Sequence, residues 1–300
     1  MPELPDITVY VEQLRARVVD RPLEKIRLAS PFLVRTVSPS VREAEGRTVR
    51  AIRRMGKRIV WNFDPPMHFV FHLMIAGRFR WRLRGDKLPG RLGLAAFDFP
   101  TGTLILTEAG TKRRASLHVV ADEAGVRSLD PGGLEVMDTD ESTFASALRR
   151  ENHTLKRSMT DPHILSGIGN AYSDEILHRA RLSPIRLTAA MTDEEIHRLF
   201  EATRSTLADW TEQLRKESGE AFPEKVTAFR EGMAVHGRYR EPCPVCGAPV
   251  QRIVHADNET NYCAKCQTGG KLLADRALSK LLKSDWPKTI EAMEARRGRA

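Results

Sequence analysis

Two short cysteine pairs constrain this chain more than any other feature. Cys243-Pro244-Val245-Cys246 and Cys263-Ala264-Lys265-Cys266 stand sixteen residues apart and hold all four cysteines of the sequence. That spacing suits a tetrahedral site in which Cys243, Cys246, Cys263 and Cys266 bind one structural Zn2+. An iron–sulfur or redox role is the alternative, and the tight clustering argues against a disulfide framework. Gly247 follows the first pair, and Val250, Ile253 and Val254 predict a small β-hairpin between the pairs. So small a module cannot be held by apolar burial alone, so metal ligation supplies much of its stability.

The rest of the sequence must fold around different cores, and a chain of 300 residues implies two or three domains. Lys and Arg outnumber Asp and Glu by 48 to 39, a net charge of +9, which favours a polyanionic partner and electrostatically steered association. No apolar run approaches the ~20 residues that cross a bilayer, and the N-terminus lacks a basic region followed by an apolar one. The expectation is no membrane and a cytoplasmic location.

Apolar residues at Ile7, Tyr10, Val11, Leu14 and Val18 predict an amphipathic helix behind Pro5. From about Ile26 to Val120 the texture changes to short β-branched and aromatic runs broken by Gly and Pro, the pattern of an antiparallel sandwich or barrel. In Arg78-Phe79-Arg80-Trp81-Arg82-Leu83-Arg84 the even positions are all Arg. A strand there turns one face inward and carries four guanidinium groups on the other, either solvated or close to phosphate. Asp130-Pro131-Gly132-Gly133 reads as a linker. Helices are predicted over Thr139–Arg150, over Ser173–Arg181 behind a glycine turn, and after Thr192-Asp193-Glu194-Glu195, which has the form of a capping box. In this third helix Ile196, Leu199, Phe200, Thr203, Leu207, Trp210 and Leu214 form an apolar stripe. After Gly270, Leu272, Leu273, Leu278, Leu281 and Leu282 predict a last amphipathic helix with a basic end. The fold class is α+β multidomain, with domains at 1–130, 131–230 and 231–268 and a basic tail at 269–300.

The chain opens Met1-Pro2-Glu3. A small second residue lets the initiator methionine be trimmed, leaving Pro2 with a free secondary amine. Terminal amines titrate near about 8, so a neutral nucleophilic fraction exists at neutral pH. Attack on a sugar C1′ yields an iminium ion, an electron sink for later elimination. Glu3 is the nearest carboxylate and can carry protons for such a step. Met-Pro-Glu can equally be nothing more than a stable start.

With these features together, the chain resembles the formamidopyrimidine-DNA glycosylase / endonuclease VIII family. Pro2-Glu3-Leu4-Pro5 looks like its N-terminal signature. Leu165-Ser166-Gly167-Ile168-Gly169-Asn170-Ala171-Tyr172-Ser173-Asp174-Glu175 is similar to its helix–two-turns–helix motif, and the cysteines close with Cys266-Gln267 as its zinc hairpin does. The resemblance implies an N-terminal antiparallel β-sandwich with flanking helices, a helical helix–two-turns–helix domain and a C-terminal zinc β-hairpin. It implies a bifunctional DNA glycosylase and AP lyase of base excision repair, acting as a monomer on double-stranded DNA with damaged bases or abasic sites, nucleoid-associated in the cytoplasm.

Pro2 would then form the Schiff base, Glu3 would open the sugar ring and assist base loss, and Lys57 would contact a phosphate and help β-elimination. Gly169 and Asn170 would grip phosphates at a turn entering a helix, a natural anion site. Arg78 and Arg80 would lie near phosphate. Three positions depart from the family pattern. Asn258 stands where an Arg often supports δ-elimination, and an amide lacks the charge and the bidentate fork. Ile75 stands for the void-filling methionine, and Arg113-Arg114 for an Arg-Phe pair, so the apolar wedge is changed and the aromatic one missing. The rival readings are a catalytically idle relative that binds damaged DNA, and an RNA-binding protein.

Overall fold

The computed structural model describes residues 1–110, 112–255, 258–273 and 287–297. The chain divides into two compact units, 1–132 with 208–228, and 133–207 with 229–300.

In the first unit, α1 (Leu4–Val18) starts at Glu3, whose backbone N–H donates to Asp6 Oδ2 at 2.9 Å. An acid in the first turn and Arg15 and Arg17 in the last both suit the helix dipole. Ile7, Tyr10, Val11, Leu14 and Val18 are all buried, as their spacing requires. Eight antiparallel strands follow: β1 (Lys25–Leu28), β2 (Thr48–Met55), β3 (Arg58–Asp64), β4 (Met67–His72), β5 (Gly77–Arg82), β6 (Gly93–Phe99), β7 (Gly102–Glu108) and β8 (Ser116–Val120). They make two four-stranded sheets, β2-β3-β4-β8 and β1-β6-β7-β5. Their inner faces meet around Trp61, whose ring lies 5.1–6.4 Å from those of Phe63, Phe69, Phe71, Phe97 and Phe99. Each fully buried phenylalanine contributes about 1.5–3 kcal/mol, enough to offset the Trp61 Nε1–H, which finds no acceptor among the described residues. The short helix α2 (Glu123–Ser128) covers the outer face of the first sheet, with Val126 against Met55, Val60 and Val70.

The chain 208–228 also belongs to this unit. The Phe222 ring lies tilted 5.6 Å from Tyr10, beneath the Arg17 guanidinium, and Arg215 pairs with Glu12 at 2.6 Å.

The second unit holds α3 (Glu141–Arg149), α4 (Leu155–Thr160), α5 (Asn170–Arg179) and the first part of α6 (Asp193–Ser218). The expected capping box is formed: Thr192 N–H donates to Glu195 Oε2 at 3.0 Å, and Glu195 N–H to Thr192 Oγ1 at 3.2 Å. All seven stripe residues of α6 are buried. Helix α5 begins at Asn170, three residues earlier than predicted. Gly169 is extended and acts as its N-cap, and Ser173, read as the first residue, instead bonds back to Gly169 O at 2.6 Å.

Between the cysteine pairs lies the hairpin β9 (Gln251–His255) and β10 (Asn258–Tyr262), followed by α7 (Ala264–Thr268). Leu272 and Leu273 are not helical as predicted. They lie outside any helix, with Leu272 N–H on Lys288 O and Leu273 N–H on Tyr262 Oη, and pack with Ile290 on the hairpin's apolar face. The tail helix that is described is α8 (Ile290–Arg297); Leu278, Leu281 and Leu282 lie outside the described residues. Among the described residues no helix is long and apolar enough to cross a membrane.

Candidate active site and metal centre

Pro2 and Glu3 are buried at the mouth of α1. Around the amino terminus the fold gathers Glu3, Asp6, Arg78 and Lys57, all close enough to act on its charge. Burial draws the Met1 amine below its ordinary value of 8.0; Glu3 and Asp6 pull it back up, while Arg78 and Lys57 push it further down. An amine in that setting loses its proton more easily and becomes a better nucleophile.

Lys57 is half-buried at the tip of the β2–β3 hairpin. Gly56 at φ +57° makes this two-residue turn possible, a backbone that suits the first central position of a tight hairpin. Burial lowers the Lys57 ammonium, Glu3 opposes that, and Arg58 adds to it. Arg78 is anchored by Nε on Val226 O at 2.6 Å and by Nη1 on Ile75 O at 3.0 Å and Gly77 O at 2.7 Å. It therefore ties the β4–β5 turn to the chain 208–228 while its charge reaches the amine. Gly77 is required in that turn, since a Cβ there would sit 2.3 Å from Leu73 O.

The arginine strand is not an open basic face. It ends at Arg82 and leaves Leu83 81% exposed, Arg80 and Arg82 face Glu224, and Arg84 pairs with Glu24 at 2.9 Å. Ile75 stands out at the β4–β5 turn, 57% exposed, and Arg113 reaches across to Arg91 O.

His72 escaped the sequence reading. It pairs with Arg58 across β3–β4, directly beside Lys57, and only the strand register could reveal it. Burial, then Arg58, Lys57 and His118, push its imidazole down to about 4. An unfolded histidine titrates near about 6.5, so below that pH the unfolded chain takes a proton that the folded one refuses. The stability contributed by neutral His72 is present above pH ~6.5 and is lost as the pH falls toward 4. The expected result is that His72→Gln narrows the loss of unfolding free energy between pH 7 and 5 by about 1–2 kcal/mol, measured by urea denaturation.

In the second unit Asn170 opens α5, and its Nδ2 donates to Glu259 O on the hairpin at 2.9 Å. Beneath it lies a buried polar network that motif reading missed. Asp174 accepts from Lys156 Nζ at 2.5 Å, pairs with His236 Nδ1 at 2.8 Å and takes the Asn261 N–H at 3.1 Å. Glu175 accepts the backbone N–H groups of Ala234, Val235 and His236 at 2.7–2.9 Å. Burial pushes its carboxyl up, and those three donors hold it down. Asp174 and Glu175 were legible as motif residues; that they clamp the approach to the zinc module was not. Asn258, the first residue of β10, pairs with His255, the last of β9, and the His255 side chain lies outside the described residues.

The four cysteine Sγ atoms lie within 4.8 Å of one another, with Cys243–Cys266 at 3.9 Å and Cys246–Cys263 at 3.4 Å. A tetrahedral Zn2+ with Zn–S bonds of about 2.3 Å needs sulfur–sulfur edges of roughly 3.8 Å, so the four thiolates fit one structural zinc. Gly247 at φ +72° turns the first pair and donates its N–H to Cys243 O.

A sandwich bearing a buried N-terminal Pro-Glu, a glycine turn entering a helix and a four-cysteine hairpin together define a DNA-repair glycosylase architecture. Residues 1–122 match the formamidopyrimidine-DNA glycosylase N-terminal domain, 131–218 the formamidopyrimidine-DNA glycosylase H2TH domain, and 240–269 the zinc finger found in FPG and IleRS. The formamidopyrimidine-DNA glycosylase of Thermus thermophilus is 31% identical over 281 residues, spanning 90% of this chain and 100% of its own. An uncharacterized formamidopyrimidine-DNA glycosylase-like protein of Mycobacterium tuberculosis is 41% identical over 157 residues, 52% of this chain and 96% of its own. The crystal structure of MutM (Fpg) from Thermus thermophilus superposes with a TM-score of 0.73 at 29% identity, covering 89% of this chain and 98% of that one. Lactococcus lactis Fpg in complex with abasic-site DNA gives 0.78 at 23% identity, over 89% and 99%, a likeness of fold alone. The chain belongs to the formamidopyrimidine-DNA glycosylase / endonuclease VIII family.

Proposed function

We propose that this chain is a bifunctional DNA glycosylase and AP lyase that removes damaged, oxidised bases from duplex DNA and nicks the strand by β-elimination. The observation that carries this reading is the burial of Pro2 and Glu3 together at the start of α1, with Asp6, Arg78 and Lys57 close enough to act on the amino terminus. Removal of Met1 turns the Pro2 nitrogen from an amide into the reacting secondary amine.

Extruding a base from the stack costs a few kcal/mol, least where pairing is already damaged. The neutral Pro2 nitrogen forms its bond to C1′ as the C1′–N bond to the base breaks, the base leaving with the proton that the Pro2 N–H gives up. Glu3 gives a proton to the deoxyribose ring oxygen, and the C1′–O4′ bond breaks to open the ring. The resulting iminium makes the C2′ proton acidic. Its loss expels the 3′ phosphate, and water then hydrolyses the adduct to return Pro2. Lys57, whose ammonium is lowered by burial and raised by Glu3, would contact the phosphate and assist this elimination. Gly169 and Asn170, with the chain's net charge of +9, would supply sequence-independent grip, so affinity should fall steeply with salt. Ile75, with Arg113, would occupy the space left by the extruded base. Arg78 would act through the amine, and Arg80, which faces Glu224, would lie near phosphate. With an amide at Asn258, the reaction is proposed to stop at β-elimination.

Sodium borohydride reduces an iminium to a stable amine. The purified, Met1-trimmed protein is expected to be trapped covalently on DNA carrying an abasic site, with the adduct mapped to Pro2 by mass spectrometry. Absence of an adduct, with DNA binding intact, would reduce the protein to a damage-binding relative.

A further inference from the structure

Three residues of α5 stand four apart, Asn170, Asp174 and His178, and therefore share one stripe of the helix. Every member of the stripe reaches the zinc module. Asn170 holds Glu259 O, Asp174 holds the Asn261 N–H and His236, and His178 Nε2 lies 3.3 Å from Cys243 Sγ. Both His178 and Cys243 are buried, and among the described residues that sulfur is the polar partner of the His178 ring. At the same end of the helix Gln267, one residue past the last cysteine, accepts the Cys263 N–H through Oε1 and donates through Nε2 to Leu182 O at 2.9 Å.

We propose that His178 is an outer partner of the zinc centre: its Nε2–H donates to the Cys243 thiolate and locks the metal site to the helix that carries the Asn170 turn. A four-thiolate zinc carries a net charge of about −2, so a buried N–H aimed at one sulfur stabilises the loaded site. Cys243 otherwise packs in an apolar cluster with Val235, Val250 and Cys263. Outer partners of this kind typically change metal affinity by about 10–100-fold. The stripe also gives zinc a route to the opposite end of α5. Eight residues at 1.5 Å each put Asn170 only about 12 Å from His178 along the axis. Loss of the metal would release His178, then the Asn261 and Glu259 contacts, and with them the hold on the Asn170 side chain. His178 is thus a positioning residue for the metal site, whatever reaction the sandwich performs.

The test uses the full chain loaded with zinc and His178→Phe, which keeps a ring but no donor, beside His178→Gln, which keeps an N–H. His178→Phe is expected to give up zinc to a chelator about 10–100-fold more readily than the parent, with His178→Gln between them. In the Co2+-substituted proteins the thiolate-to-cobalt absorption band is expected to move in His178→Phe. Equal zinc affinity and an unmoved band in His178→Phe would overturn the proposal. A third measurement needs no variant: heteronuclear NMR of the zinc-loaded parent protein is expected to show His178 as the Nε2–H tautomer. The Nδ1–H tautomer would overturn the proposal even if His178→Phe fails to fold.

Discussion

Glu3→Gln is expected to slow release of a damaged base by about 10²–10⁴-fold while strand cleavage at a preformed abasic site falls far less. The difference follows from what each substrate still needs. An intact nucleotide must have its ring oxygen protonated while the base departs, and Glu3 is the carboxylate buried against the terminal amine and Lys57. An abasic sugar already opens to an aldehyde in water, so the amine can attack it without that acid. The substitution keeps size and shape: a glutamine carbonyl can still accept the Asp6 N–H that the Glu3 side chain accepts in the capping box, and the Glu3 backbone bonds, its N–H on Asp6 and its carbonyl receiving the Ile7 N–H, are untouched. A collapsed helix is therefore not an expected cause of the loss. Single-turnover assays on matched duplexes, one with an oxidised base and one abasic, separate the two rates. Equal losses on both substrates would make Glu3 a structural residue, and no loss on either would remove it from the chemistry.

What could be read without coordinates was whatever repeats locally. The α1 stripe, the β-rich stretch, the α6 cap and the cysteine spacing each follow from neighbours within a few residues, and each reappears in the fold. What could not be read depends on distant partners. Arg82 meets Glu224 across 142 positions and Arg78 meets Val226 O across 148, so alternation along a strand showed arginines on one face but not the acid facing them. His72 becomes part of the site only through the register that sets it against Arg58. The Asp174 network likewise joins α5 to segments 62 and 87 residues further on. Leu272 and Leu273 failed for another reason. Two adjacent leucines fit a helical stripe or a non-helical strap equally well, and the two pack against Ile253 and Tyr262 of the hairpin outside any helix.

Stripping the zinc, or replacing Cys263 with serine, is expected to cost the second unit its hairpin and most of its grip on DNA while the sandwich stays folded. Structural zinc contributes on the order of 10–16 kcal/mol to small finger modules at neutral pH, far more than the competing apolar contacts here could replace. Among the described residues those contacts are Leu272, Leu273 and Ile290 resting on Ile253, Tyr262 and Ala264, and Val235 and Val250 beside the cysteines, clusters too small to fold alone. Three restraints go with the hairpin: the Asn170 bond to Glu259 O, the Asn261 N–H on Asp174 and the Gly237 N–H on Asn261 Oδ1. Asp174 would then keep Lys156 and His236 but lose a donor, and the Asn170 amide would lose its fixed direction. The Trp61 cluster shares no residue with any of this, so tryptophan fluorescence and near-ultraviolet dichroism of the sandwich should change little. Binding to abasic DNA should weaken by about 10²-fold or more at fixed salt, roughly 2.7 kcal/mol, and readdition of Zn2+ should restore it to the chelated protein but not to Cys263→Ser. Metal analysis should return one zinc per chain before treatment. Full affinity in the metal-free protein would show that the hairpin takes no part in gripping DNA and that α5 holds its turn unaided.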